Sequence, residues 1–456
     1  MLSRKWLWIG LICISIGSTG MSRLLSEDRR TEPDRQLHNS AKSPDRSTSS
    51  NIHLHSALQK TIERKYLEAL SDYDRAITFD PHDHIAYNNR GHLKALHLND
   101  SKGALSDFDR SIELNPNYPK TYSNRGPLKA KYFNDSKGAL SDINRSIELD
   151  PQTSDYYISR AIIKYYYLND RKGALTDCEL AIKINNNEAK AYFLRGYIKS
   201  NYLNDSTGAL VDFNQAIEIY SETNRIYQDS NVFKQEYLKY SQTGIGKFEA
   251  TIEFKPQTLS SVYNARATLK DSKLNDIQGA IADYNSAIQV DPNYASTYNN
   301  RGLMKNEKLN DVKGALSDYN LAIKIDPELP NTYYNRGVLK DLKLNDIDGA
   351  LADYNRAIEL KLNLASLYYD RGLLKYRKLK DIQGALVDFN STLKIDPKHT
   401  NAYGFRAVIK YRYLKDRECG ITDLKKVAEL YQKEGNNRSY QLVLLEIARW
   451  RRSSAN

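Results

Sequence analysis

Along Tyr298–Pro327 the buried-type positions change register halfway. Tyr298, Gly302, Lys305 and Leu309 fall at steps of four, three and four, the spacing of one helical face. After Asn310-Asp311, the residues Ala315, Leu316, Tyr319, Ala322 and Ile323 recur at i, i+1, i+4, i+7 and i+8, a stripe wide enough to bury, with Ser317, Asn320 and Lys324 opposite. The pattern predicts two helices, A and B, joined by a short turn. Asp311 is placed to cap helix B by accepting from its free backbone N–H groups. Asp326-Pro327 ends helix B, because the residue before proline is driven out of helical backbone angles.

Arg301-Gly302 recurs as Arg336-Gly337, a period of 35 residues, and periods of this size mark stacked helical hairpins. Tyr298, Gly302, Ala315, Tyr319, Ala322 and Pro327 stand at spacings that resemble the six signature positions of the tetratricopeptide repeat, whose usual period is 34. The extra residue falls in the A to B turn. Pentatricopeptide repeats share the longer period and read RNA, but lack this Gly, Ala, Ala, Pro grammar. The resemblance, to a bacterial, cyanobacterial-like array of about eleven repeats, implies an all-α, right-handed superhelical solenoid of antiparallel hairpins over roughly Asn51–Trp450.

In chain order, residues 1–21 carry two early positive charges, an apolar run from Trp6 to Ile16, then Gly17, Ser18, Thr19 and Gly20. This is the layout of a signal peptide, and the run is shorter than the ~20 residues that span a bilayer. An uncleaved N-terminal anchor is the alternative, so the chain is expected to be exported, periplasmic or secreted, or membrane-anchored by its N terminus. Ile12 before Cys13 is too large for lipoprotein-type processing. Residues 22–50 read as a disordered polar linker. A first block of repeats covers 51–220, its first copy worn, with Ser56 where Gly91 stands 35 residues later. Residues 221–261 keep Phe248, Ile252 and Pro256 but lose the Tyr, Arg-Gly and Asn-Asp marks, and read as a degenerate repeat. Arg195 to Arg266 is 71 residues rather than 70, and the extra one is expected to bend or loosen the array. A second block covers 262–436. Residues 437–456 are a capping helix, amphipathic over Ser439–Trp450, and a tail. Eleven hairpins and a terminal helix result.

Nine copies carry further identities in step: a Tyr three residues before each Arg (Tyr87 to Tyr403), a Lys four residues after it, an Asp closing the turn, and an Asp in helix B such as Asp318. The Tyr residues read as core, with groove lining as the alternative; the turn Asp reads as an N-cap. A guanidinium in every hairpin could hold acidic ligands, but an equal number of helix B Asp residues can pair with it. An unpartnered buried charge is costly, so an internal ladder such as Arg301 with Asp318 is the expectation.

The family resemblance implies that helix A lines the concave surface. Just before the Arg stand Asn89, Asn124, Asn300 and Asn335, with Asp370 departing, a pattern similar to the asparagine ladder of the O-linked N-acetylglucosamine transferase superhelix. An amide can pair with the backbone of an extended peptide whatever its sequence, so these five are the candidate peptide-binding residues. The alternative is that they cap or solvate the helix; Ser159, Leu194 and Ala265 interrupt the row. At the end of helix A, His97, Tyr132, Tyr167 and Tyr202 give way to Lys273, Lys308, Lys343 and Lys378. These are candidate groove residues, or a solvated edge. Pro127, inside a helix A, is expected to kink it.

The net charge of +11 and pI near 9.1 raise nucleic acid as a partner, yet Lys and Arg are interleaved with Asp and Glu, without a long basic block. Cys178 and Cys419 read as structural. His53, His55, His82 and His84 lack Cys or carboxylate partners at metal spacing, and no phosphate-binding glycine loop or Gly-x-Ser-x-Gly elbow occurs. The reading is a binding scaffold, not an enzyme, with no cofactor or metal. It takes an extended peptide or helix of a partner protein on the concave face in complex assembly. The alternative is a nucleic-acid or polyanion-binding repeat protein, and membrane contact is expected only through the N-terminal segment.

Overall fold

The computed structural model describes residues 46–228 and 256–452. The expected signal or anchor segment, most of the linker, and Phe248 and Ile252 of the degenerate repeat lie outside the described residues. The chain divides into two compact units, Met1–Asp291 and Pro292–Asn456. In the first, the helices are α1 (Arg46–Ile62), α2 (Tyr66–Phe79), α3 (His84–His97), α4 (Ser101–Leu114), α5 (Pro119–Tyr132), α6 (Ser136–Leu149), α7 (Ser154–Tyr166), α8 (Arg171–Ile184), α9 (Ala189–Ile198), α10 (Ser206–Gln228), α11 (Pro256–Leu269) and α12 (Ile277–Val290). In the second they are α13 (Ala295–Glu307), α14 (Val312–Ile325), α15 (Pro330–Leu339), α16 (Ile347–Glu359), α17 (Ala365–Leu374), α18 (Ile382–Ile395), α19 (Thr400–Arg412), α20 (Arg417–Lys433) and α21 (Asn437–Arg452). Consecutive odd and even helices pair as A and B of a hairpin, and within each unit hairpin packs on hairpin. Among the described residues there are ten hairpins and the terminal helix, and no strand.

Each hairpin closes on small residues. Gly302 lets α13 lie against α14 so tightly that an added Cβ would come within 2.9 Å of Tyr319 Cε1. Ala315, Tyr319 and Ala322 are fully buried, as the stripe predicts, and Cys178 fills the Tyr319 position of its own hairpin. The terminal α21 seats Ile447 and Trp450 on the last hairpin, with the indole stacked 4.0 Å from Tyr411. α5 runs through the buried Pro127 without a break.

The expected ladder is present in nine hairpins. Arg301 Nε and Nη2 donate to the two carboxylate oxygens of Asp318 at 2.9 and 2.7 Å, and Lys305 Nζ reaches the same carboxylate at 2.8 Å. The same triad holds Arg336, Lys340 and Asp353, and Arg371, Lys375 and Asp388. The third guanidinium nitrogen, Nη1, crosses to the previous hairpin's helix B, from Arg336 to Asn320 and from Arg371 to Asn355, each at 2.7 Å. One side chain thereby closes its hairpin and sets the register of the next. Each guanidinium lies over the Tyr three residues earlier, at 5.6 Å for Arg301 and Tyr298. Tyr298 is buried in the core as expected, and most of the other Tyr residues are half-buried, Tyr157, Tyr192, Tyr263, Tyr333 and Tyr403 packing against core clusters.

The 35th residue is absorbed at the end of helix A. In four of the described hairpins the last turn widens to a π-turn, as at Lys340–Leu344, and the next residue, Asn345, turns left-handed at φ 54°. Asn99, Asn134, Asn169, Asn204, Asn275 and Asn310 do the same. Asparagine tolerates this region better than other side-chain-bearing residues, although Lys380 and Lys415 adopt it too. The following Asp caps helix B as expected: Asp346 Oδ1 accepts from Gly349 N at 3.0 Å. Glycine leaves room for this cap, since a Cβ would sit 2.1 Å from Asp346 Oδ2 as it stands, although Cys419 takes the same place against Asp416 in the last hairpin.

The Ser221–Ser261 segment differs from a repeat set between its neighbours. Arg266 Nη1 donates to Asn214, 52 residues back, where other hairpins show 16. Lys273 Nζ donates to Asn204, 69 back, where Lys343 to Asn310 is 33. Both excesses are 36 residues. Leu259 and Val262 of α11 pack directly with Phe213 and Tyr220 of α10. The array is therefore in register across this point, and the additional residues are an insertion of 36 between two adjacent hairpins.

Two outcomes follow from this geometry. Deleting residues 221–256 restores a 35-residue step, and the shortened protein should keep the helical circular dichroism and cooperative melting of the parent; loss of either would show that the segment is a structural repeat. Asp353→Ala strands Arg336 and Lys340 together and should cost about 3–5 kcal/mol locally. Arg336→Ala leaves Lys340 on Asp353 and should cost less, both read by hydrogen exchange of α15 and α16.

Candidate functional site

The ladder is enclosed between helices, and the candidate peptide-binding residues lie on the A helices. The A helices of successive hairpins stand beside one another, and the asparagines bond across the A-helix face. In the first unit Asn124 Nδ2 donates to Asn88 Oδ1 at 2.9 Å, and Asn88 Nδ2 to Asn89 Oδ1 at 3.0 Å. In the second, Asn335 Nδ2 donates to Asn299 Oδ1 at 3.0 Å, and Asn299 Nδ2 to Asn300 Oδ1 at 3.1 Å. Asn124 is only 4% exposed. The amide row of the sequence reading is thus largely engaged in joining hairpins. Its partners Asn88 and Asn299, one position earlier, were missed because their role depends on the neighbouring helix.

Asp370 belongs to the same row but behaves differently. It accepts from Tyr334 Oη at 2.8 Å, and burial, with the nearby Asp341, pushes its carboxyl up to about 6. Burial likewise raises Asp341. Beside them lies an aromatic group: Tyr369 and Tyr376 stand 6.2 and 5.9 Å from Phe405, and Arg377 lies 5.2 Å above the Phe405 ring.

The second candidate row lies at the edge beside the A to B turns and not on this face. Lys273, Lys343 and Lys378 donate to the turn asparagines Asn204, Asn310 and Asn345, and Lys308 is exposed. Tyr132 and Tyr202 are about two-fifths exposed with Lys131 and Arg171 over their rings, while Tyr167 packs partly buried beside Ile143 and Ile163. The solvated-edge alternative describes most of this row. His53 stacks on Phe79, and His84 meets Tyr118 edge-on. No described helix is long and apolar enough to cross a membrane.

A buried acidic pair in the first unit was not anticipated. Glu188 precedes α9 where other hairpins place Tyr118, Thr153 or Leu329, and that break is the signal the sequence offers. Ser154 Oγ donates to it at 3.3 Å, Lys190 Nζ reaches Asp155 at 3.3 Å, and the Tyr220 hydroxyl is buried beside both carboxylates. Burial, reinforced by Asp155, pushes Glu188 up to about 7. A carboxyl raised in the folded state binds its proton more tightly there than when unfolded, so its contribution to stability is complete below about 4.5 and is lost as pH rises through about 7. Glu188→Gln should therefore raise the melting temperature at pH 8 and leave it nearly unchanged at pH 4; an equal effect at both would remove Glu188 as the titrating group.

A family model described as TPR repeat matches residues 272–306 and 339–378. No curated protein sequence matches the chain. Among solved structures, human IFIT1 in a dimer with PPP-AAAA is 13% identical over 88% of this chain and 90% of that one, with a TM-score of 0.51. MamA is 22% identical over 37% of this chain and 96% of its own, at 0.34, and yeast Tom70 is 16% identical over 89% and 96%, at 0.37. At these identities the likeness speaks for the fold alone. Repeating hairpins, their signature residues and the matched stretches agree: the chain carries TPR repeats, matched over 272–306 and 339–378, within a TPR-like helical solenoid.

Proposed function

We propose that the chain is a binding scaffold without catalytic activity, one that holds a segment of a partner protein on its A-helix face and thereby assembles a complex. One observation carries this reading. The residues that build the hairpins are the same from copy to copy, whereas the A-helix face changes, from Asn299 and Asn300 to Tyr334 and Asn335 to Tyr369 and Asp370. A surface that varies on an invariant frame is suited to recognising an irregular ligand. The N-terminal residues support export or anchoring, which would place the partner outside the cytoplasm or at a membrane.

The rival, a nucleic-acid binder, draws on the net charge and on a neighbour, IFIT1, seen with PPP-AAAA. Against it, eighteen of the Lys and Arg side chains are tied into the nine ladders.

A photo-crosslinking residue at Tyr197 or Tyr376, on A helices, should capture a partner protein, and one at Leu180 or Leu321, exposed on B helices, should not. Capture from the B positions alone would overturn the assignment of the face. Capture of single-stranded RNA with an affinity that falls steeply with salt would favour the rival.

A further inference from the structure

We propose that the second unit recognises a basic segment, with a lysine or arginine side chain seated between Asp341 and Asp370 and an aromatic or apolar residue following toward Tyr369, Phe405 and Tyr376. This rests on the scaffold reading above and names the chemistry of the partner.

Within the second unit, Asp341 and Asp370 break the rule that the ladder carboxylates obey. Every ladder carboxylate carries an Arg and a Lys within 3.0 Å, whereas neither of these two makes an ion pair within 4 Å among the described residues. They come from adjacent A helices, and the Asp341 charge helps to raise Asp370. Lys378 and Arg377 act on Asp341 only from a distance, the first bonded to Asn345 at 3.0 Å and the second lying over Phe405, and neither acts on Asp370. Two partly buried carboxylates side by side repel, and burial penalises both charges. A cation between them relieves both effects, which is the strongest discrimination this face offers. Phe405 is already taken, with Arg377 over it and Phe389 stacked 5.7 Å away, so the flat negative face that attracts an ammonium or guanidinium and buries its aliphatic stem is that of Tyr376.

The order of groups along the unit extends the match. Across three A helices the face passes from amides (Asn300, Asn306) through Asn335 and Asp341 to Asp370 and Tyr376, and Asn306 Oδ1 is buried without a hydrogen-bond partner. Neighbouring A helices lie about 8–10 Å apart, which is about three residues of extended chain. An extended segment crossing this face would therefore place a basic residue about three positions from an aromatic one.

The test uses the full chain and three synthetic peptides, acetyl-Gly-Ser-Gly-Lys-Gly-Ser-Phe-Gly-amide and its norleucine and glutamate counterparts at the Lys position, with binding read by NMR shifts. The lysine peptide should bind about tenfold more tightly than the norleucine peptide, as expected of one well-placed charge pair. Asp370→Asn or Asp341→Asn should remove that preference, and Asp348→Asn, exposed elsewhere on α16, should not. The preference should also weaken as pH falls through about 6, where Asp370 takes its proton. Equal binding of the lysine and glutamate peptides, a preference that survives Asp370→Asn, or no binding of any peptide would overturn the proposal. Equal binding of all three peptides would sink the charge specificity while leaving the scaffold reading, which the crosslinking decides separately.

Discussion

A planar guanidinium with three bonding edges organises this protein. A carboxylate buried between helices must be neutralised, and Arg can satisfy it bidentately while keeping a third nitrogen free. In Arg336 that nitrogen crosses to Asn320, so closing one hairpin and docking it on the previous one are the same event. The constraint is strong enough to survive a 36-residue interruption, where Arg266 still finds Asn214. In the first described hairpin Arg is not used: Asp72 takes Lys60 at 2.7 Å and the hydroxyl of Ser56.

The parts legible in the sequence are those whose partners lie at fixed separations inside one repeat. Asp311 as a cap, Gly302 as a contact and Arg301 with Asp318 all follow from local spacing and equal numbers of charges. What the sequence conceals depends on the neighbouring hairpin. Asn335 looks free for a ligand until Asn299, 36 residues back, is placed beside it. Lys343 looks like a groove residue until the left-handed Asn310 appears within reach. The insertion is concealed for a different reason. Phe248, Ile252 and Pro256 imitate the spacing of helix B, and 36 residues differ from one period by only a single position.

That single position also separates this array from the usual period. An added residue in an antiparallel hairpin must either lengthen the turn or widen a helix, and here the last turn of helix A widens while asparagine takes the left-handed step. The amide makes the step less strained and provides the acceptor for the next hairpin's Lys, so one residue type serves conformation and stacking together. At Lys380 and Lys415 the left-handed step persists without the asparagine, which shows that the step is set by the hairpin geometry and only favoured by the side chain.

The same frame accounts for the net charge without invoking a polyanionic ligand. Each ladder contains two cations and one carboxylate, so nine of them leave a positive excess close to the +11 of the whole chain. Early hairpins offset it by giving the third guanidinium nitrogen an aspartate, Asp74 or Asp109, but later ones give it a neutral asparagine such as Asn320, Asn355 or Asn390. The excess therefore sits between helices, fixed by hydrogen bonds, where it serves cohesion. The unpaired carboxylates Asp341 and Asp370 lie on the opposite side of this balance. In a chain whose charge is positive overall, they form a local site of the other sign, toward which a basic partner segment would be drawn.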